Sequence, residues 1–367
     1  MANGHLALQF LLQFVVILVS CRAVGSLMPR IGQPRVIGEM IAGILLGPSL
    51  LGLVAPAAQA WLFPPESLSM LSAVSQVGLV LYMFVVGMHL HTKFIQRAYR
   101  GALAISITGV VAPFVLGSAL ALFLYAESGV FFTANVSSRH SMIYLGAAMS
   151  VTAFPVLARI IEEHGIGGTA LGALALAAGS VDDLIAWTLL GVVLTSLDRS
   201  FDIVRFVASH AVFIAFAVGT LMPRGRLTGA LTRKIEPIAS TFLVPVFFAY
   251  SGLSTHLTLL WSPDLLWISL VVILIASIGK AVGCWGAARL SGRPNREALA
   301  LGALMNARGL MELIILNIGL QRGLITPILF TVMVTMTLTT TMAAGPLFEW
   351  AWRRAAEVPD GVSVSVR

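Results

Sequence analysis

Two adjacent acidic residues, Asp182 and Asp183, lie near the middle of an apolar run from Ile166 to Leu197. The run is long enough to cross a bilayer, because a span takes roughly 20 residues. An acidic side chain at the centre of a span costs about 2.5–3.5 kcal/mol on insertion scales. Two in succession are therefore expected to bind something positive, either a metal cation or a proton. A buried polar pair satisfied by neighbouring helices is the alternative.

Lys280 is a basic residue inside another apolar span, far from both of its ends. An intramembrane lysine normally needs a counter-charge or a water-filled cavity. Placing Lys280 beside one of the two aspartates lowers the cost of burying both charges and leaves the other carboxylate free to bind a cation or a proton. A lysine tilted towards the membrane interface is the alternative.

Arg308 is also inside a span, with Asn306 two residues before it and Glu312 four residues after it. At this spacing Arg308 and Glu312 share one helix face and can pair. Gly309 follows directly and favours a break whose exposed backbone groups need polar partners. We predict that these residues support the core of the protein, and a purely structural Arg–Glu clamp is the alternative.

Pro155 interrupts a third span. It removes a backbone donor and disfavours helical geometry at Phe154. Ser150 and Thr152 lie just ahead of it, where they can satisfy the freed backbone groups. A helix broken at mid-membrane presents the ends of two half-helices to ions and charged side chains.

The elements that position these residues are transmembrane helices. The chain is 58% hydrophobic and 11% charged, with a mean hydropathy of +0.93, whereas soluble domains carry roughly 25% charged residues. This composition predicts an all-α polytopic membrane protein with a first helix that is retained rather than cleaved. Cys21 and Cys284 both fall in apolar segments, so no disulfide is expected.

About eleven spans are predicted, near 6–27, 36–54, 70–90, 102–126, 141–163, 166–197, 201–222, 239–256, 262–288, 297–320 and 325–351.

The distribution of basic residues predicts the orientation in the membrane. Most of the 23 Lys and Arg residues lie in the C-terminal tail and in the loops after odd-numbered spans, as in Arg30, Arg35, Lys93, Arg97, Arg224, Arg226, Arg289 and Arg293. The positive-inside rule then puts the N-terminus outside and the C-terminus in the cytoplasm, as in a multi-pass protein of the plasma membrane. The residues that give the net charge of +7 are predicted to lie mostly at the membrane surface. Lipid rather than nucleic acid is therefore the expected partner.

The order of these features repeats in the two halves. The broken span 141–163 precedes the Asp182–Asp183 span, and the Lys280 span precedes the Arg308 span. Spans four to six and spans nine to eleven thus form two groups of three helices, and each group contains an interrupted helix. This pattern suggests inverted repeats that meet at the membrane midplane, as in many secondary transporters.

The sequence resembles the monovalent cation:proton antiporter-2 family, a group of bacterial sodium/proton and potassium/proton exchangers. The matching segments occur in the family's order over most of the chain: IGQPRVIGEMIAGILLGPSLLG, SVTAFPVLARIIEEHG, GSVDDLIAW, KIEPIASTFLVPVFFAYSGL, IGKAVG and NARGLMELIILNIGL. The resemblance implies two discontinuous crossing helices and a core that moves against a scaffold. The expected divisions are one transmembrane domain over 1–355, a short tail over 356–367, a core over about 70–90 or 102–197 and 262–351, and a scaffold over about 1–54 and 201–256.

The resemblance also implies roles for individual residues. Asp183 looks like the ion-binding aspartate, and Asp182 looks like the neighbour that pairs with Lys280. Thr152 and Phe154 would fall in the unwound stretch.

The chain departs from the family in two places. Family members usually carry about two more helices between the aspartate span and HAVFIAFAVGTLMPRG, where this chain has only SLDRSFD. Losing two helices leaves both termini on their predicted sides of the membrane but shortens the scaffold. The homodimer that the resemblance implies would therefore lack part of its usual contact. The regulatory nucleotide-binding domain of potassium-efflux relatives is expected to be absent.

The expected mechanism is competition between one monovalent cation and protons for Asp183, with no cofactor. With two aspartates and Lys280 ionised, the site carries −1, and one bound cation makes it neutral. Protons on Asp183 and on the Asp182–Lys280 unit instead make it +1, so exchange of two protons per cation would be electrogenic. Sodium is the expected ion, and potassium or lithium remain open.

Other classes fit the sequence less well. An intramembrane aspartyl protease would carry GxGD, and a metalloprotease would carry HExxH; neither motif occurs. We therefore expect a transporter rather than an enzyme. A channel, or a non-transporting relative with a reduced scaffold, remains an alternative.

Overall fold

A computed structural model of the chain describes residues 2–89, 99–127, 129–167, 169–197, 211, 214–223 and 225–356. The described part is helical, with a single isolated β-bridge between Phe132 and Ile325. An apolar chain in lipid must satisfy its backbone polar groups internally, and helices do this within each segment.

The helices are α1 Ala2–Leu27, α2 Arg35–Leu46, α3 Leu51–Val54, α4 Pro56–Leu62, α5 Pro65–His89, α6 Tyr99–Tyr125, α7 Ser138–Ser150, α8 Phe154–Glu163, α9 Ala170–Leu197, α10 Arg226–Ile238, α11 Val244–Leu253, α12 Pro263–Leu290, α13 Asn295–Met305, α14 Leu310–Gln321 and α15 Pro327–Ala356. Residues 214–221 are also helical. A π-helical turn, Ala239–Leu243, joins α10 to α11, and short 3₁₀ turns follow α1 and precede α12.

Seven helices in the described ranges are long and apolar enough to cross a membrane. The predicted spans 141–163 and 297–320 are each divided into two short helices and are not among these seven, nor is the predicted span 166–197, which corresponds to α9. The predicted span 201–222 lies mostly outside the described residues.

Two predicted boundaries differ from the structure. The span expected near 239 begins at Arg226, because the amphipathic segment α10 continues into α11 through the π-helical turn. That turn follows Pro237, which has no backbone N–H to donate to a regular helix. The span expected over 36–54 is a continuous helix only to Leu46, and α3 follows after Gly47.

The helices pack into two groups. The first contains α1, α2, α5, α10 and α11, and the second contains α6–α9 and α12–α15. Contacts within each group are extensive, whereas the contact between α14 of the second group and α11 of the first is small.

The first group includes a very close helix crossing. A Cβ atom built on Gly252 of α11 would lie 2.4 Å from the backbone carbon of Gly43 in α2. One built on Gly43 would lie 2.6 Å from the Cα of Ala249. Glycine is required at both positions, because helix backbones approach this closely only where no side chain intervenes.

The second group contains the two broken helices. Val151–Ala153 separate α7 from α8, and Asn306–Gly309 separate α13 from α14. The backbone N–H of Ala153 donates to the carbonyl of Ala307 over 2.9 Å, so the two breaks are joined directly. Each broken pair lies between continuous helices, α6 and α9 in the first half and α12 and α15 in the second. This arrangement confirms the predicted fold, with two discontinuous helices that cross.

Candidate ion-binding site

The centre of the site is a fully buried ion pair between α9 and α12. The Nζ atom of Lys280 lies 2.7 Å from Oδ2 of Asp182, and neither side chain is exposed. Lys280 also donates to the backbone carbonyl of Ser150 over 2.6 Å. Ser150 is the last residue of α7, so the ammonium group caps a helix C-terminus, whose dipole favours a cation. Lys280 therefore points into the core, not towards the membrane interface.

Asp182 has further hydrogen bonds. Its Oδ1 accepts from the hydroxyl of Ser106 in α6. The hydroxyl of Thr152, in the first break, lies 2.6 Å from Oδ2 of Asp182 and 3.1 Å from the carbonyl of Met305, the last residue of α13. Asp182 is thus fixed by α6, the first break and α12 together.

Asp183 has a different environment although it is the next residue. Its side chain is fully buried, and neither carboxylate oxygen has a hydrogen-bond partner among the described residues. The adjacent Asp182 places a second carboxylate next to it in the chain. A buried carboxylate with free oxygens is costly, and a cation or a proton would satisfy it.

Arg308 and Glu312 form a second buried pair, with Nη1 of Arg308 at 3.5 Å from Oε1 of Glu312. The backbone of Arg308 is held by Thr341, whose hydroxyl accepts from its N–H over 3.0 Å and donates to its carbonyl over 2.8 Å. Asn306 is also buried. The pair supports the second break, where Gly309 has a φ of 156° that favours glycine.

The structure brings the predicted residues together with one adjustment. Thr152 lies in the first break as expected, but Phe154 is the first residue of α8 instead of part of the unwound stretch. Pro155 follows as the second residue of that helix, where a missing N–H costs little because the first turn has no intrahelical acceptor for it.

Ser106 is a site residue that sequence reasoning misses. A single serine within an apolar span gives a weak signal, because a hydroxyl can bond to a carbonyl of its own helix. Only the packing of α6 against α9 brings it to Asp182.

Comparison with known proteins places this arrangement among transporters. A family model described as the transmembrane part of sodium/hydrogen exchangers matches residues 15–215 and 200–354. The Na(+)/H(+) antiporter NhaS4 of Synechocystis is 38% identical over an alignment that covers 93% of this chain and 96% of the relative. That alignment extends over 400 residues against the 367 of this chain, so the relative contains sequence that this chain lacks.

Two further comparisons differ in extent. The Cation/H(+) antiporter 18 of Arabidopsis thaliana is 33% identical over 92% of this chain, which spans about half, 48%, of the plant protein. The solved structure of the sodium proton antiporter MjNhaP1 from Methanocaldococcus jannaschii superposes with a TM-score of 0.59 and 13% identity, and covers 96% of this chain and 97% of its own. This last likeness concerns the fold alone.

Proposed function

The chain belongs to the sodium/hydrogen exchanger family of monovalent cation:proton antiporters, and on that premise we propose that it exchanges sodium for protons at Asp183. It is accordingly a multi-pass membrane protein and a secondary transporter of a cation against protons, not an enzyme. The identity of the cation, the stoichiometry and the roles of individual residues are our proposal.

The observation that carries the proposal is the contrast between the two aspartates. Asp182 is bound by Lys280, Thr152 and Ser106, whereas both oxygens of Asp183 lack a hydrogen-bond partner in the described part of the chain. Asp183 is therefore the carboxylate available to bind a dehydrated cation or a proton in turn. Carboxylate oxygens are also the ligand type that hard cations prefer.

The charges of the site support electrogenic exchange. Two carboxylates and one ammonium give −1, and the Arg308–Glu312 pair adds nothing. The cation-loaded site is then neutral, whereas protonation of Asp183 and of the Asp182–Lys280 unit makes it +1. Two protons per cation would thus move one net charge.

Sodium is proposed as the cation because the Synechocystis relative, similar along nearly its whole length, is a sodium/proton antiporter. Potassium remains the second candidate. Both are monovalent and would leave the charge balance unchanged.

The two packing groups suggest how the site moves. We propose that α6–α9 and α12–α15 form the mobile core and that α1, α2, α5, α10 and α11 form the scaffold. The extensive contacts within each group and the small contact between α11 and α14 support this division. The excess of basic residues in one set of loops supports an outside N-terminus and a cytoplasmic C-terminus.

Purified protein on a solid-supported membrane would test the exchange. We expect a saturable current when sodium is applied at constant pH, a smaller current with potassium, and acidification or alkalinisation of the liposome lumen that depends on the sodium gradient. Proton movement coupled to sodium without any current would contradict the two-proton stoichiometry. Non-saturable current that is independent of pH would indicate a channel.

A further inference from the structure

A cavity of about 560 Å³ lies between the two packing groups. Its walls are formed mainly by α1, α2, α5 and α11, with Val156 of α8 contributed by the opposite group. Arg22 and Arg35, which line it, are exposed, so the cavity opens at the face of the membrane that carries these basic residues.

The inner end of the cavity approaches the ion-binding site. Val156 lies beside the second break, since a Cβ atom on Gly309 would lie 3.4 Å from its Cγ2. Gly179 of α9, one turn before Asp183, packs against the same first turn of α8, since a Cβ atom on Gly179 would lie 3.3 Å from Cδ2 of Phe154 and 2.6 Å from Cδ2 of Leu157. The cavity therefore extends from the basic surface to the first turn of α8, which packs against the part of α9 that carries Asp183, with Glu39 and Tyr82 in its wall.

Glu39, on α2, is the acidic residue that lines this cavity. Its side chain is half-buried, and its nearest opposite charges are Arg22 and Arg35. No ion pair within 4.0 Å joins Glu39 to either arginine in the described ranges. Glu39 thus lines the cavity without an ion-pair partner that fixes its carboxylate.

A carboxylate in this position would act on a passing cation. The two exposed arginines repel cations at the mouth, and a negative charge behind them offsets that repulsion. Clefts with low-dielectric walls focus such a charge and raise the local concentration of counter-ions, and acidic side chains along the conduction path favour cations in channels.

We propose that Glu39 is an intermediate binding site for the transported monovalent cation on its path between the cytoplasm and Asp183. This role rests on the exchange proposed above. Glu39 acts on entry and exit of the cation, and Asp183 remains the site at which cation and protons compete.

The test uses the full chain in everted membrane vesicles, which present the basic face, with sodium varied at fixed pH. Glu39→Gln is expected to raise the apparent KM for sodium about tenfold, the low end of the effect of a charged cleft, and to leave kcat within about twofold. The same variant in right-side-out vesicles, where sodium enters from the other face, should have a nearly normal KM. Added choline chloride should reduce the difference from wild type in everted vesicles, because salt screens exposed charges over a Debye length of about 10 Å at 0.1 M.

Two further variants complete the test. Glu66→Gln makes the same change at an exposed position in the first turn of α5 and should not alter KM at either face. Glu39→Asp keeps the charge, and it should restore most of the sodium affinity if the charge itself is what matters.

An unchanged KM in Glu39→Gln, or a lower kcat at unchanged KM, would overturn the proposal, since a purely structural carboxylate would produce one of these results. Wild-type protein without sodium-dependent proton movement would instead refute the proposed exchange, so the two failures are distinguishable.

Discussion

Replacing Asp183 with asparagine is expected to reduce sodium-driven proton movement in proteoliposomes to the level of empty liposomes. The amide preserves the shape of the side chain but removes the negative charge and the group that binds a proton. The protein should still fold, because neither oxygen of Asp183 is used by a described hydrogen bond and burying an amide costs less than burying a charge. Proton flux by a pH-sensitive dye and thermal unfolding in detergent measure the two effects.

A matched control is Asp264→Asn, the same change at an exposed position in the first turn of α12. It should leave flux and unfolding temperature unchanged. Sodium-driven flux retained by Asp183→Asn would remove Asp183 from the role proposed for it. A collapse in stability with this variant would mean that the carboxylate is a structural group.

Replacing Lys280 with methionine is expected to produce the largest loss of stability. The change leaves Asp182 buried without its cation at 2.7 Å and leaves the carbonyl of Ser150 without its donor. Removing one partner of a buried ion pair typically costs about 3–5 kcal/mol. The unfolding temperature in detergent should therefore fall strongly.

The double variant Asp182→Asn with Lys280→Met separates charge from packing. Replacing a buried ion pair by neutral groups is often close to neutral in stability, so the unfolding temperature should recover most of the loss. In this variant Asp183 is the one remaining acidic residue of the Asp182–Asp183 doublet. One proton should then exchange for one cation, so proton exchange should persist without net current. Equal instability of the single and double variants, or a normal current from the double variant, would contradict the charge balance proposed for the site.

The amino-acid sequence predicts the site better than the boundaries of the helices. Charges within apolar runs are so costly that residue type and position alone are enough to pair Lys280 with the Asp182–Asp183 doublet. Pro155 and Gly309 likewise mark the two breaks, because each disfavours regular helical geometry.

Other features depend on packing that a single sequence does not encode. The hydrogen bond from Ser106 to Asp182 requires α6 to lie against α9. The sequence predicts a loop where α10 lies. The charged face of this amphipathic helix lowers its hydropathy below that of a membrane span, and Pro237 disfavours a regular helix. The position of Glu39 in the cavity follows from how α2 packs beside α1 and α5.

The central claim, that sodium and protons compete for Asp183, is tested most directly by the apparent KM for sodium as a function of pH. This is measured as peak current on a solid-supported membrane. Competition predicts that KM rises by about tenfold for each unit of acidification in the range where one proton displaces sodium, while saturating sodium restores the maximal current. A KM that stays constant as the pH falls, with only the maximal current decreasing, would mean that cation and proton bind at separate sites.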